Sequence, residues 1–310
     1  MRDRAALVAA AQASIDRGSK SFAAASRLFD PATRERAWLL YAWCRTCDDS
    51  ADGQDHGHGM SPVEDPHARI EEMRAFTAAA LAGETTGQPA FDALGLVAAE
   101  CGLDPRLPFD VIDGFALDAA GWQPRSEDDL YRYCYHVAGA VGVMMARVMG
   151  VPAEDSDLLD RACDLGLAFQ LANIARDIGE DAAAGRRYLP LDWLAEVDVP
   201  PDELLHPALR PRLALLGRRL ADRAAQYEAS ARIGAAALPF RSAWAVLAAA
   251  DIYGGIARTV AARGEQAWDH RVTTSRAAKL AGVARAFGQA AVRKRIARTE
   301  RPAHLWTRPR

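Results

Sequence analysis

Apolar residues recur three and four positions apart along almost the whole chain, and alternating β-branched runs are nearly absent, which is the spacing of amphipathic helices and not of strands. The pattern predicts an all-α protein. Long helices are expected over about Thr33 to Asp52, Ser126 to Met149, Glu154 to Ala183, Pro207 to Arg232 and Leu238 to Arg263, joined by segments carrying Pro and Gly. Each is long enough to cross a domain. Asp30-Pro31-Ala32-Thr33 reads as a stop and restart, with Pro31 ending the helix that contains Ser19-Lys20-Ser21-Phe22.

Polar residues interrupt this apolar pattern at helical spacing in two places. In the first, Tyr41, Arg45, Asp48 and Asp52 step by four, three and four and so share one helix face. Asp49 falls about 100° away, expected either to support that face from behind or to be solvated. In the second, Asn173, Asp177 and Asp181 form a single stripe, with Gln170 one turn back in the same sector and Arg176 on an adjacent face. Carboxylates at i and i+4 lie one turn apart, spaced to share or bridge divalent cations. A hard ion such as Mg²⁺ takes few protein carboxylates and keeps positions for water and phosphate oxygens. The same spacing occurs on solvated acidic faces. Here the flanks LGLAFQLANIA are strongly apolar, and amide and acid groups buried in such a helix must be hydrogen-bonded or metal-bound. A site for metal and diphosphate is therefore expected.

Around these stripes several features stay open. The segment GQDHGHGMSPVEDPH after Asp52 reads as a lid or as a surface loop, and His56 and His58 as metal ligands or as solvated residues. In YRYCYHVAGAVGVMMARVMG, Gly139 and Gly142 weaken a helix unless a neighbour or ligand approaches closely. Met144, Met145 and Met149 suit a core, or the walls around a long apolar substrate.

Composition narrows the classes. The chain has 310 residues and no composition break, so one domain spanning 1–310 is expected; half of its residues are hydrophobic, a quarter charged, and the net charge is −3. This describes a soluble globular protein with a large core and no bulk nucleic-acid binding. The N-terminus MRDRAALVAAAQASIDRG reads as a helix and not a secretory peptide, and no uncharged stretch suits a bilayer span. Five scattered cysteines fit reduced thiols in a cytoplasmic protein. Cys44 and Cys47 have CxxC spacing, but no second pair or βαβ context supports a zinc or redox reading. Arg293, Lys294, Arg295, Arg298 and Arg301 lead into a basic tail of about residues 300–310. Two readings are open for it: a solvated helix end with a disordered tail, or attraction to anionic lipid.

Taken in order, GSKSFAAASRLF, LLYAWCRTCDDSADGQD, LYRYCYHVAGAVGVMMARVMGV, DRACDLGLAFQLANIARDIGEDAAAGRRYLP, RSAWAVLAAADIYGGIA and RPAHLW resemble the head-to-head prenyltransferases of the squalene/phytoene synthase family over nearly the whole chain. The resemblance implies an isoprenoid-synthase helical bundle around a central active-site cavity with an acidic pair on either wall. It makes Asp48 and Asp52 the first aspartate-rich motif and Asn173, Asp177 and Asp181 the second, holding a cluster of about two to three Mg²⁺ (or Mn²⁺) ions. Arg45, Tyr253, Ser19 and Ser21, together with Arg271, match diphosphate-holding positions, and Tyr133 the tyrosine near the reacting carbons. Gly18 stands where some relatives have histidine, and Ala51 replaces a larger apolar residue; neither removes a carboxylate.

The reaction so implied condenses two geranylgeranyl diphosphates through prephytoene diphosphate to phytoene, a step of carotenoid biosynthesis. The alternative is squalene or dehydrosqualene formation from farnesyl diphosphate. Squalene needs NADPH; no GxGxxG is present, and no NADPH is expected. A catalytically silent assembly protein is a third reading, and the intact acidic, arginine and tyrosine positions argue against it. The partner expected is the prenyl diphosphate substrate, for a monomer or weak homodimer in the cytoplasm with peripheral contact at the inner leaflet.

Overall fold

Capping residues mark where several helices begin. Asp65 accepts from the Ala68 N–H ahead of Pro66, Ser126 forms a reciprocal box with Asp129, and Ser275 accepts from the Ala278 N–H, each satisfying amides that the first helical turn leaves unpaired. The computed structural model describes residues 3–18, 20–52 and 65–310, with the side chains of 20, 21, 24 and 52 excepted. In order they form α1 (Arg4–Gly18), α2 (Lys20–Ser26), α3 (Pro31–Asp52), α4 (Pro66–Leu81), α5 (Pro89–Cys101), α6 (Arg106–Ala119), α7 (Glu127–Cys134), a π-helical turn (Tyr135–Gly139), α8 (Ala140–Val148), α9 (Ser156–Ala183), α10 (Leu191–Glu196), α11 (Arg210–Ala235), α12 (Phe240–Arg263) and α13 (Arg276–Val292). No strand occurs among the described residues, as the periodicity predicts.

The long helices expected from sequence correspond to α3, α7 to α8, α9, α11 and α12. The stop near Asp30 is real, with α2 ending at Ser26 and Pro31 opening α3. The one long helix expected over Ser126 to Met149 runs without a gap from Glu127 to Val148, with a π turn at Tyr135–Gly139. One inserted residue shifts the phase of the apolar pattern without erasing it.

The chain divides into two compact units, one of residues 1–120 with 143–155, the other of residues 121–142 with 156–310. In the first, α3 packs on α1 and α5, and α4 on α5 and α6. Leu39, Leu40, Trp43, Leu94, Val97 and Ile112 are fully buried there, each leucine or isoleucine contributing about 1.5–3 kcal/mol of transfer free energy.

In the second unit α9 is central, packed on α11, α12 and the π turn. The approach is backbone to backbone. A Cβ on Gly166 would lie 2.3 Å from the Ala138 carbonyl oxygen, and one on Gly142 2.4 Å from that of Ala162. The neighbour that the glycines of this region admit is thus a helix. The segment Phe240–Gln266 is long and apolar enough to cross a membrane, which the sequence reading did not expect. It packs between α11 and α13 and carries Asp251 in ion pairs with Arg232 and Arg285.

Most of the C-terminal residues are exposed, as the first reading of the tail expects, but several of their arginines are anchored on α9. Arg298 pairs with Asp157 at 2.9 Å, Arg301 grips Asp164 through two bonds of 2.8 and 2.7 Å, and Arg308 and Arg310 meet Asp160 at 2.8 and 3.0 Å. Arg161 donates to the Thr299 carbonyl, and Leu305 is buried. Three acids along α9 thus bind the arginines that sequence alone left unpaired.

Candidate functional site

On α3 the first stripe is built around Arg45. Its guanidinium lies over the Tyr41 ring, 6.0 Å from the centroid, and donates to Asp48 at 2.5 Å, with Asp49 at 3.5 Å. Burial works against the charge on Arg45, and Asp48 with Tyr41 more than restores it, so its pKa rises. Phe22 stacks on Tyr41 at 5.4 Å. Asp49 is the more protected acid, its side chain 15% exposed against 39% for Asp48. Of the two roles open for it, support from behind is the one observed. Gly18 also gains a reason: a Cβ there would lie 2.5 Å from the Tyr41 hydroxyl, so the tyrosine occupies the space a side chain would need. Asp52 closes α3 one turn beyond Asp48. Its side chain, those of Ser19 and Ser21, and the segment with His56 and His58 lie outside the described residues.

Cys44 and Cys47 are on the same helix as free thiols. Burial, aided by the nearby Asp48 charge, pushes Cys44 up to about 12, and burial raises Cys47 well above its ordinary value. Both shifts disfavour the thiolate, the form that redox and metal chemistry use.

The second stripe occupies the C-terminal half of α9. Asn173 donates to the Gln170 amide oxygen at 3.4 Å. Arg176 makes two bonds to Asp177, one of 2.7 Å, and Arg271 reaches Asp177 at 3.1 Å while also pairing with Glu180. Burial lowers the Arg176 pKa, Asp177 raises it, and the balance lies above the ordinary arginine value. The Tyr253 ring stacks on Phe169 at 4.1 Å and is close enough to Arg176 to add to that rise. Asp181 is half-buried one turn beyond Asp177. The loop carrying Arg271 is pinned by Trp268, whose indole N–H donates to the Ala175 carbonyl at 3.0 Å, with Gly217 leaving room for the ring.

Tyr133 lies elsewhere in this unit, at the centre of a column of rings. Trp122 is 5.7 Å away on one side and Tyr188 4.8 Å on the other, both within about 21° of parallel. Sequence reasoning named Tyr133 but missed Trp122, Tyr188, Glu180 and Trp268. Glu180 was accessible, since it stands three residues after Asp177. The other three come from loops and left no periodic signal.

The donor set fits a hard divalent cation. In each unit separately, Asp48 on α3 and Asn173, Asp177 and Asp181 on α9 offer oxygen donors, which suit Mg²⁺ or Mn²⁺ better than a thiophilic metal. Arg45, Arg176 and Arg271 stand on or beside the same stripes, where guanidinium forks match phosphate oxygens. The electron-rich faces of Trp122, Tyr133 and Tyr188 can stabilise a cation. Within each unit, then, a stripe of acids stands beside arginines suited to phosphate oxygens, and the second unit also carries the ring column.

The squalene/phytoene synthase family matches residues 15–278. The chain is 48% identical to phytoene synthase of Pseudescherichia vulneris and 47% identical to 15-cis-phytoene synthase of Pantoea ananas, in each case over 94% of both chains. It is also 47% identical to the 15-cis-phytoene synthase of a Paracoccus strain over 98% of both chains. Among solved structures it resembles a dehydrosqualene synthase, with a TM-score of 0.82, 25% identity and coverage of 93% of this chain and 98% of that one. Squalene synthase HpnC from Alicyclobacillus acidocaldarius has a TM-score of 0.75 at 22% identity, covering 84% and 95%. An all-helical fold, two stripes of acids with arginine partners and a match over most of its length agree: the chain belongs to the squalene/phytoene synthase family.

Proposed function

We propose that the chain is a phytoene synthase, a prenyltransferase of carotenoid biosynthesis that joins two geranylgeranyl diphosphates head to head. The observation that carries this reading is identity near one half, over nearly the full length, to several proteins bearing that name. Asp48 and Asp52, and separately Asn173, Asp177 and Asp181, would hold divalent cations, which when bound supply the Lewis acidity that draws charge from diphosphate oxygens. Arg45, Arg176 and Arg271 donate to those oxygens as negative charge builds on the leaving group. Tyr253, with Ser19 and Ser21, orients the diphosphate.

The C1–O bond of the donor breaks with its electron pair on oxygen, and the double bond of the second chain attacks the allylic cation. Proton loss closes the cyclopropane of prephytoene diphosphate. A second ionisation, rearrangement and proton loss give phytoene and a second diphosphate, with no net oxidation or reduction. Tyr133 and its stacked neighbours present π faces to the cation and exclude water. Squalene formation would add a hydride.

Incubation with farnesyl or geranylgeranyl diphosphate, with and without NADPH, separates these outcomes by product. Phytoene from the longer substrate without NADPH is expected. Squalene or dehydrosqualene as the main product would overturn the reading. Asp48→Asn and Asp177→Asn that each keep wild-type turnover at low Mg²⁺ would overturn the metal assignment.

The membrane contact is proposed at α13 and its C-terminal end instead of the tail. Leu280, Phe287, Val292 and Ile296 are exposed there, Leu280 by 72%. No acid occurs between Asp269 and Glu300, a stretch that contains Arg276, Lys279, Lys294 and Arg295. Apolar side chains rimmed by cations suit an anionic bilayer, where a hydrocarbon product would partition. A Leu280→Ser/Phe287→Ser variant should sediment less with phosphatidylglycerol vesicles than the wild type. Equal sedimentation would count against this face.

A further inference from the structure

Trp306 joins the C-terminal segment to the helix that carries Tyr133 through contacts the proposed reaction does not itself require. Its indole N–H donates to Asp128 of α7 at 2.9 Å, and its ring lies 5.7 Å from that of Tyr135 in the π turn. Its backbone N–H donates to the Tyr227 hydroxyl at 3.2 Å, and the Tyr227 ring meets Tyr131 edge-on at 5.3 Å. Arg301 fixes the segment from the other side, binding Asp164 and also the Trp306 carbonyl at 2.7 Å.

These contacts fall on one side of α7. Tyr131 and Tyr135 are four residues apart and share a face; Tyr133, midway, points to the opposite side, into the column of Trp122 and Tyr188. α7 is eight residues long and is joined to α8 through the π turn, where the regular α-helical hydrogen-bond ladder that would fix its phase relative to α8 is interrupted. Its rotation about its axis is therefore set by what its two faces touch. On the Tyr131/Tyr135 face that contact includes Trp306.

We propose that Trp306 is a positioning residue: locked in place by the Arg301–Asp164 pair, it fixes the rotation of α7 and the π turn and so aims the Tyr133 ring. The proposal deepens the functional reading above and rests on Tyr133 lying beside the reacting carbons. A misaimed ring affects the second half of the reaction most, where the cyclopropyl intermediate must ionise and rearrange before it escapes.

The test compares wild type with Trp306→Ala, Trp306→Phe, Asp128→Ala and Tyr133→Phe, measuring released prephytoene diphosphate relative to phytoene, with kcat and KM. This ratio does not depend on how much of the enzyme is folded. Trp306→Ala is expected to raise it roughly ten-fold and lower kcat at unchanged KM. Trp306→Phe, which keeps a ring against Tyr135, should recover most of the loss. Asp128→Ala, at an exposed side chain that does not threaten folding, should shift the ratio about two-fold in the same direction as Tyr133→Phe.

A soluble Trp306→Ala with the wild-type ratio overturns the proposal, as does an unchanged ratio in Asp128→Ala if Trp306→Ala fails to fold. Near-ultraviolet circular dichroism of Asp128→Ala reads the ring column without turnover. If the wild type makes no prenyl product, the functional reading fails, and a spectrum altered in Asp128→Ala still supports the positioning while an unaltered one overturns it.

Discussion

α9 carries two pairs of aspartates with the same spacing, Asp160/Asp164 and Asp177/Asp181, and they have different fates. Asp164 is fully buried, gripped by Arg301 and accepting from the Ser230 hydroxyl at 2.6 Å; Asp160 is buried and meets Arg308, itself largely buried, with the exposed Arg310 reaching it from outside. Asp177 retains 15% exposure and meets Arg271, half-exposed and delivered by a loop. Spacing says which carboxylates share a face, and nothing about what answers them. In the first pair two of the answering cations, Arg301 and Arg308, are locked in with the tail. In the second, at least one stands at the surface, free to turn toward a phosphate oxygen.

The most disruptive test of that contrast is Asp164→Ala. Removing one member of a buried pair strands the other, at a cost of about 3–5 kcal/mol. Thermal unfolding should show Tm lower by roughly 10 °C; a melting point near wild type would mean that the pair is dispensable. Asp177→Asn should behave in the opposite way. Turnover is expected to fall by roughly 10²–10³, while Tm falls less than in Asp164→Ala, because the amide oxygen still accepts one of the two Arg176 bonds. If Asp177→Asn instead melts early and turns over normally, the two pairs have been assigned the wrong way round. Gly166→Ala acts between them, at the crossing with the π turn. The added methyl meets the Ala138 carbonyl, and the strain should cost about 1–3 kcal/mol, visible as a lower urea midpoint.

The long helices were legible because their apolar stripes persist for many turns, as in α9 and α11. Asp48, Asp177 and Asp181 were legible for the same reason, since helical spacing sets carboxylates on one face. The π turn was not, and neither were Trp122, Tyr188 and Trp268, whose loops bring them to the helices only in the fold. The anchoring of the tail was not legible, for a physical reason. Its arginines have a single acid nearby in sequence, Glu300, and their partners lie 137 to 150 residues away on α9. Charge counting sees a basic tail; the folded chain has a neutralised one.

The smallest effect expected concerns Asp157, the first anchor of that tail. Burial raises its carboxyl, Arg161 and Arg298 lower it, and the balance falls below the ordinary value of 3.8. A carboxyl depressed in the folded state contributes stability that is present above 3.8 and lost as pH falls through the folded value. Its side chain is 39% exposed, so solvent screening limits the contribution at neutral pH to about 0.5 kcal/mol. Urea titrations of wild type and Asp157→Asn at pH 6 should differ by that amount, and the difference should shrink as the pH is taken below 3.8. A difference that persists unchanged into acid would mean that Asp157 acts through packing or hydrogen bonding alone. The tail would then be held by the buried pairs of Asp160 and Asp164, and the contrast along α9 would narrow to those two acids.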